Sequence, residues 1–359
     1  MVLNCAYGGF YSVVIRLVLV NGICIDRAAS YAYHQGDDID ALLSQTINDF
    51  QGVLDIKSAP RGFGKGVMCL AGHLKPKLRN PSVYLTQCAY ALSRFRHAFD
   101  ISGQKNGSYR LAIVTDRFRY EHMVRKDAEF REFSERILND VIFVQDWRGV
   151  PVLRQKPQSS KFQGFPQLWI HKFEAWARSP YAHTLFIDYD VHACPQAHRL
   201  FEIYEFADVA PTACEHGCWG GTRFDKTFGA YTSQLSEPER QQYAAIQEGQ
   251  TSAVMLHTAN PVVREMCIAA RDIYIKTMLM AGNPIKHDQP ALREVTYLWR
   301  HKLNHTKINE TVGCDIKFTK TCSGDFSDHC ALVHGKLSLE PLAGKHVLRA
   351  WAPRIGEAI

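Results

Sequence analysis

Residues 184–194 read "TLFIDYDVHAC" and place two carboxylates, Asp188 and Asp190, directly after an apolar run. The run 185–187 is typical of a buried strand, in which an uncompensated charge is costly. Carboxylates in such a position need a strand end, a cation, or both. Because the carboxyl ends of strands in open α/β sheets bind ligands, the stretch predicts a strand that ends at a functional site.

Strand-like and helix-like segments alternate around this stretch. Short apolar runs predict strands at 110–116, 141–144, 208–213, 251–257 and 331–334. Helical periodicity predicts helices at 83–99, 121–139 and 165–179 and after Pro261. Such alternation predicts an α/β fold with a Rossmann-like, mixed but mostly parallel sheet flanked by helices on both faces. We expect a catalytic domain over 106–345, an N-terminal region, 1–105, packed on it, and a C-terminal tail, 346–359.

Composition indicates a globular protein with a mildly basic surface. The 359 residues are 46% hydrophobic and 22% charged, the balance of a soluble enzyme. The net charge of +6 suits an anionic ligand such as a nucleotide, and no Lys/Arg block predicts nucleic-acid binding. The apolar stretch 8–25 contains Arg16 and is shorter than the ~20 residues of a spanning helix. It predicts a pair of strands rather than a signal anchor, which leaves membrane association open.

Cysteines and sequons bear on the cellular compartment. Eleven cysteines are present, so at least one is unpaired. The stretch "CEHGC" (214–218) lacks a second ligand pair of matching spacing, which argues against structural zinc. A disulfide among Cys314, Cys322 and Cys330 is expected if the chain enters the secretory pathway. Sequons begin at Asn106, Asn304 and Asn309.

The carboxylate pair predicts a cation site. Alternation along a strand would direct Asp188 and Asp190 to the same side, with Tyr189 opposite. Two hard oxygen ligands can hold Mn²⁺ or Mg²⁺ and leave coordination positions for diphosphate oxygens. The cation would then neutralise charge on a nucleoside-diphosphate leaving group. The alternative is a pair of carboxylates at a solvated strand end.

Two downstream motifs add candidate ligands. "HDQPAL" (287–292) places Asp288 before a helix, where its side chain would either cap the first turn or point into the cleft. "ALVHGK" (331–336) ends a short strand with His334, a candidate metal ligand as neutral imidazole. Lys336, two residues later, is a candidate phosphate ligand.

Taken in this order, the motifs resemble the nucleotide-diphospho-sugar transferases, which are glycosyltransferases of the GT-A fold with a DXD motif. The resemblance runs from "LAIVTD" through "HKFEAWARSPY", "TLFIDYDVHAC", "SAVMLH", "HDQPAL" and "LVHGK", over roughly residues 108–340. It implies transfer of a sugar from a nucleoside-diphosphate donor to a hydroxyl of a glycan, glycoprotein or glycolipid. It also implies a divalent cation, manganese or magnesium, and a Golgi or other secretory location, with the cytoplasm as the alternative.

The resemblance implies a role for each matching position. Asp190 and His334 would be metal ligands, and Asp188 would contact the metal or the ribose. The other donor-binding residues would be Thr115, Asp116, Lys172 and Lys336. Asp288 and Gln289 would face the transferred sugar or the acceptor as the catalytic residues.

Two other functions fit the same carboxylate pair. Haloacid-dehalogenase-type phosphatases also follow an apolar strand with two aspartates, but their motif normally opens the domain and continues into a tight turn. Here Val191, His192 and Ala193 follow the pair. The other alternative is a catalytically inactive module that binds sugar nucleotides. The presence of every candidate metal ligand argues against such decay.

Overall fold

The structure is a computed structural model that divides into two units, residues 1–38 and 39–359. It describes residues 19–20, 23–24, 53–55, 62–71, 83–103, 108–144, 165–213, 232–246, 249–279, 288–309, 313–315 and 331–334. In the first unit, strands β1 (Leu19–Val20) and β2 (Ile23–Cys24) pair antiparallel. A strand pair was predicted within 8–25. No helix in the described ranges is both long and apolar enough to cross a membrane.

A seven-stranded sheet forms the centre of the second unit, in the order β3-β6-β5-β4-β7-β10-β9. Its strands are β3 (Val53–Asp55), β4 (Phe63–Leu70), β5 (Tyr109–Thr115), β6 (Asp140–Phe143), β7 (Tyr181–Ile187), β9 (Val209–Ala213) and β10 (Gly249–Leu256). Strands β6, β5, β4, β7 and β9 run in one direction, and only β3 and β10 run in the other. Every residue of β5 and β6 is buried, which requires cover on both faces of the sheet. The predicted α/β class with a mixed, mostly parallel sheet is confirmed.

Eight helices surround the sheets. They are α1 (Val83–Ile101), α2 (Arg117–Lys126), α3 (Ala128–Arg136), α4 (Phe165–Ala177), α5 (Leu200–Ile203), α6 (Glu237–Ala245), α7 (Pro261–Leu279) and α8 (Gln289–Trp299) in the described chain. The single helix predicted over 121–139 is wrong, because it is split at Asp127. The Asp127 carboxylate accepts a hydrogen bond from the Phe130 amide and so caps α3, while its own N–H closes α2 on Met123.

Strand β4 lies at the middle of the sheet although it precedes residue 106, the expected start of the catalytic domain. It pairs parallel with β5 on one side and with β7 on the other. Strand β4 begins at Phe63, so the last four residues of the stretch "RGFGKG" (61–66) form the first half of this strand. Gly66 is required there: a Cβ atom on it would lie 2.1 Å from the Tyr181 ring. The sheet of this unit thus includes chain on both sides of residue 106.

A buried polar network closes the end of the sheet at which the parallel strands begin. Arg110 donates to both oxygens of Asp140, at 2.9 and 2.7 Å, and the Tyr181 hydroxyl donates to Asp140 at 2.7 Å. Asp140 is fully buried, so these charge-assisted bonds replace the hydration that its carboxylate has lost. The network joins the second residue of β5 to the first residues of β6 and β7.

A second sheet brings the C-terminal part of the chain to the first. It consists of β11 (Gly313–Asp315), β12 (Leu332–His334) and β8 (Val191–Ala193), in that order. β12 pairs antiparallel with β8, so that His334 lies opposite Val191. This register carries His334 to the residue that directly follows Asp190.

A disulfide between Cys69 and Cys88 attaches α1 to β4. Both sulfur-bearing residues are fully buried, and Cys69 pairs in register with Ile187, the last residue of β7. Cys194 also forms a disulfide, whereas Cys267 is a buried free thiol. The predicted disulfide among Cys314, Cys322 and Cys330 concerns side chains outside the described residues, as does the "CEHGC" stretch.

Candidate active site

The two aspartates of the 184–194 stretch lie in a turn. Strand β7 ends at Ile187, and the Val191 N–H donates to the Asp188 carbonyl at 3.1 Å. Strand alternation therefore does not extend to Asp190. The prediction that alternation directs both carboxylates to one side is wrong, because neither carboxylate belongs to the strand. The turn instead directs Asp188 towards α4 and Asp190 towards β12. Each carboxylate consequently has a different partner.

Lys172 of α4 lies between Asp188 and Asp288. Its Nζ is 2.9 Å from Asp188 Oδ1 and 2.7 Å from Asp288 Oδ2. It also donates to the Thr251 carbonyl at 3.2 Å, and it lies 5.7 Å from the centre of the Phe186 ring. Only 2% of the Lys172 side chain is exposed. The lysine therefore neutralises two carboxylates from within the protein, and it does not lie open to a donor as its predicted role requires.

Burial and charge shift the pKa values of this group in opposite directions. Burial tends to lower the pKa of Lys172, but Asp188 and Asp288 together more than offset this, and the net pKa is raised. Burial, with smaller contributions from Asp190 and Asp288, raises the pKa of Asp188 to about 7 against the opposing effect of Lys172. Lys172 thus carries a full positive charge at neutral pH. This positive charge allows the carboxylates of Asp188 and Asp288 to lie close together.

Asp190 and His334 form a second pair at the same edge. Asp190 Oδ1 lies 3.8 Å from His334 Nε2, and both side chains are partly exposed, at 20% and 31%. A carboxylate oxygen and an imidazole nitrogen at this separation fit two ligands of one divalent cation, whose other positions would go to water or diphosphate oxygens. Asp188 is turned to Lys172, and the described residues contain no complete set of three His, Cys, Asp or Glu ligands. Among the described residues, Asp190 and His334 are therefore the two side chains placed to bind a cation here.

Asp288 occupies the N-cap position of α8 without acting as a cap. Its side chain makes no capping hydrogen bond, and it is 5% exposed in its ion pair with Lys172. Burial, with a contribution from Asp288, raises the pKa of Tyr274 on α7 well above its usual value. Gln289, the first residue of α8, is half-buried. Of the two interpretations left open by the sequence, the geometry favours a carboxylate directed into the site.

Thr115 and Asp116 lie at the same edge of the sheet, but two strands away. Strand β4 separates β5 from β7, which places them about 10 Å from Asp188 at ~4.8 Å per strand. The Thr115 hydroxyl is buried and donates to the Ala71 carbonyl at 3.2 Å. Asp116 caps α2 by accepting from the Arg119 amide at 2.9 Å. Both side chains therefore have structural partners, and their contact with a donor stays a prediction. Lys336 lies outside the described residues.

Contacts that sequence reasoning missed support the site. Tyr84 of α1 packs edge-on against Tyr189, with ring centres 4.9 Å apart, and so holds the turn between the two aspartates. Thr251 of β10 supplies the carbonyl that Lys172 binds. The apolar residue types of Tyr84 and Tyr189 indicate only burial, and a backbone carbonyl has no signal in a sequence, so no motif could have identified these contacts.

Comparison of structures finds similarity to glycosyltransferases. The chain is similar to the glycosyltransferase GlyE of Streptococcus pneumoniae, with 11% identity, 81% of this chain and 60% of that chain covered, and a TM-score of 0.42. It is similar to the galactosyltransferase LgtC, solved with donor and acceptor sugar analogues (9% identity, 82% and 97% covered, TM-score 0.41). It is also similar to mouse xyloside xylosyltransferase 1 (13% identity, 76% and 98% covered, TM-score 0.41).

The chain thus spans about 60% of the length of GlyE. No protein-family model matches the chain, and no curated protein matches it by sequence. Because the identities and TM-scores are this low, the similarity carries no functional argument, and we assign function from the side chains of the site.

Proposed function

We propose that the protein is a glycosyltransferase that transfers a sugar from a nucleoside-diphosphate donor to a hydroxyl of a carbohydrate or glycosylated acceptor. One observation carries the proposal. At the carboxyl end of β7, Asp188 and Asp190 face two different partners, the buried cation Lys172 and the imidazole of His334. An edge of the sheet with an open pair of metal ligands would, with a divalent cation bound, suit a ligand that brings its own negative charge, such as a diphosphate.

Asp190 and His334 would hold the divalent cation, manganese or magnesium. The cation would supply Lewis-acid stabilisation of the diphosphate leaving group. Asp188 stays on Lys172, where it adds negative charge beside the cation site without being a direct ligand. This modifies the role expected for Asp188 from the DXD motif.

We infer that Asp288 positions the reacting groups through Lys172. Its carboxylate is 5% exposed and paired at 2.7 Å, so it is poorly placed to accept a proton from an acceptor hydroxyl. Gln289 is half-buried beside it and is the better candidate for direct contact with the transferred sugar. Lys336 remains a proposed ligand of the diphosphate.

Thermal unfolding with nucleoside diphosphates tests the proposal. We expect uridine or guanosine diphosphate to raise the melting temperature of the protein in the presence of Mn²⁺ and much less in its absence. Asp190→Ala and His334→Gln should abolish the manganese-dependent part while melting like the parent without ligand, because both side chains are partly exposed. Glu132→Ala, at an exposed position of α3 away from the candidate site, is the control and should retain it. An unchanged manganese effect in both site variants would refute the cation site.

Donor hydrolysis without acceptor distinguishes the enzyme from its two alternatives. A transferase should release nucleoside diphosphate slowly from some nucleotide sugars by transfer to water. A binding module would be stabilised by donor and release nothing. A phosphatase of the haloacid-dehalogenase type would instead hydrolyse a generic phosphomonoester with Mg²⁺.

We also propose that the protein functions in a secretory compartment such as the Golgi lumen. The support is the disulfide between Cys69 and Cys88, since disulfides persist in oxidising compartments. Mass spectrometry of protein from the native host, alkylated under denaturing conditions without reduction, should find these two cysteines unmodified. Alkylation of both would contradict the proposal.

A further inference from the structure

Phe206 is more exposed than any other large apolar side chain of the described residues. It follows α5, and 85% of its surface is open to solvent. Its neighbour in the same segment, Ile203, is 48% exposed. Exposed apolar side chains close together in a folded protein commonly mark a surface that something covers.

Asn304 lies directly beside Phe206. Its side-chain Nδ2 donates a hydrogen bond to the Phe206 carbonyl at 2.9 Å. Its backbone is held by Asp208: the Asn304 N–H donates to Asp208 Oδ2 at 2.8 Å, and the Asp208 N–H donates to the Asn304 carbonyl at 3.0 Å. Asn304 is exposed and begins the sequon Asn304-His305-Thr306. A side chain that can accept a glycan is therefore held by hydrogen bonds beside the backbone of the exposed aromatic residue.

We propose that Asn304 carries an N-linked glycan whose first sugar covers the Phe206 ring. In the reaction, the Asn304 side-chain nitrogen forms a bond to the anomeric carbon of a lipid-diphosphate-linked oligosaccharide. The bond from that carbon to the diphosphate oxygen breaks, the lipid diphosphate leaves with the electron pair, and the nitrogen loses one proton. The cell's own oligosaccharide-transfer machinery supplies the donor.

The geometry accommodates the product. A substituted Nδ2 keeps one hydrogen, so the hydrogen bond to the Phe206 carbonyl can persist. Because the sequon residues Asn304 and Thr306 are exposed, a glycan on Asn304 would extend into solvent. The C–H face of a sugar is apolar and packs against an aromatic ring, which removes the Phe206 surface from water. This inference rests on the proposed secretory location, in which a sequon meets the glycosylation machinery, and it does not depend on the proposed transferase activity.

Asn309 begins a second sequon in the same segment. It is exposed, and its N–H donates to the Tyr204 hydroxyl at 3.1 Å. The packing on Phe206 is therefore tested in the background of Asn309→Gln, so that the result reports on Asn304.

The modification is tested by expressing the full chain in a eukaryotic secretory system. Enzymatic deglycosylation in heavy-oxygen water should convert Asn304 to labelled Asp, as detected by peptide mass spectrometry. Thr306→Ala should abolish the label at Asn304 while preserving the Asn304 side chain and its contact with Phe206. A secreted, folded protein with unlabelled Asn304 would overturn the proposal.

The packing on Phe206 is tested by a cycle of four proteins. The parent and Phe206→Ser are each melted with and without their glycans, in the background of Asn309→Gln. We expect deglycosylation to lower the melting temperature of the parent by roughly 2 °C and that of Phe206→Ser by clearly less. Equal losses in the two proteins would refute the contact between the sugar and Phe206.

Discussion

The Nζ of Lys172 lies 2.7 Å from the carboxylate of Asp288, and the same nitrogen lies 2.9 Å from Asp188. Helix α4, the end of β7 and the start of α8 thus meet at one buried positive charge. Both carboxylates belong to motifs that the sequence singles out, yet neither is the capping or solvated group of the simplest interpretation. The ion pair links the fold to the chemistry of the site.

Removal of this cation should destabilise the protein strongly. Lys172→Met leaves two neighbouring carboxylates without a buried partner, which we expect to cost about 3–5 kcal/mol of unfolding free energy. Urea unfolding monitored by circular dichroism measures it. Lys126→Met, at an exposed position in the last turn of α2, is the matched control and should change stability by at most ~0.5 kcal/mol. Equal midpoints for the two variants would contradict the internal role of Lys172.

Asp288→Asn separates a helix cap from an ion pair. Asn caps helices about as well as Asp, so a capping residue would tolerate the change. Because the Asp288 side chain makes no capping bond and pairs with Lys172, we instead expect a loss of about 1–3 kcal/mol in stability. Sugar transfer should also fall by roughly a hundredfold, since the positioning of Lys172 and Asp188 changes. Parental melting together with parental turnover would reduce Asp288 to a cap.

The two glycines of β4 form a matched pair. A Cβ atom at Gly66 would lie 2.1 Å from the Tyr181 ring, whereas a Cβ atom at Gly64 has no atom within 4 Å. Gly66→Ala should therefore cost about 1–3 kcal/mol or more through overpacking. Gly64→Ala should be neutral or stabilising by up to ~1 kcal/mol. Thermal unfolding of both variants measures the difference, and the reverse order of stability would be inconsistent with the packing of Tyr181.

Glu174 predicts a pH-dependent contribution to stability. Burial raises its pKa to about 7, although Arg271 lies 3.1 Å away and opposes the shift. A carboxyl group whose folded pKa lies above its unfolded value of about 4.5 stabilises the fold below that value, and this contribution is lost as the pH rises through about 7. The stability of the parent relative to Glu174→Gln should therefore fall between pH 5 and pH 8, by of the order of 1–3 kcal/mol. A rise over the same interval would show that Arg271 keeps Glu174 ionised.

The disulfide between Cys69 and Cys88 should contribute measurably to stability. It closes a segment with a sequence separation of 19, for which restriction of the unfolded chain corresponds to about 3 kcal/mol. We expect the double variant Cys69→Ala with Cys88→Ala to unfold at lower urea concentration by that amount. Cys267→Ala, which removes a buried free thiol, controls for the loss of sulfur from the core. If the two changes cost the same, the cross-link itself contributes nothing.

Much of the architecture could be predicted from the sequence, because it depends on local patterns. Apolar runs of strand length and helical periodicity correctly predict β5, β7, β10, α4 and the start of α7 at Pro261. Where a local polar residue competes with periodicity, the prediction fails. Asp127 divides the expected helix at 121–139, because its side chain accepts a hydrogen bond from the Phe130 amide and so caps the next helix.

The sequence also identified most of the residues that meet at the candidate site: Lys172, Asp188, Asp190, Asp288 and His334. What it could not provide is which of them face each other. Alternation along a strand predicted a shared side for Asp188 and Asp190, but the strand ends before them, and in the turn that follows each carboxylate has a different partner.

Only the tertiary structure decides that Lys172 is the internal partner of Asp188 and Asp288. It likewise decides that the imidazole of His334 is the partner of Asp190. The pairing of β8 with β12 brings His334 to Asp190, and the packing of α4 and α8 brings Lys172 to Asp288. Residue types and local periodicity determine secondary structure because the forces involved act over a few residues. Charge pairing depends on distances between segments that are remote in the chain, and those distances exist only once the elements have packed.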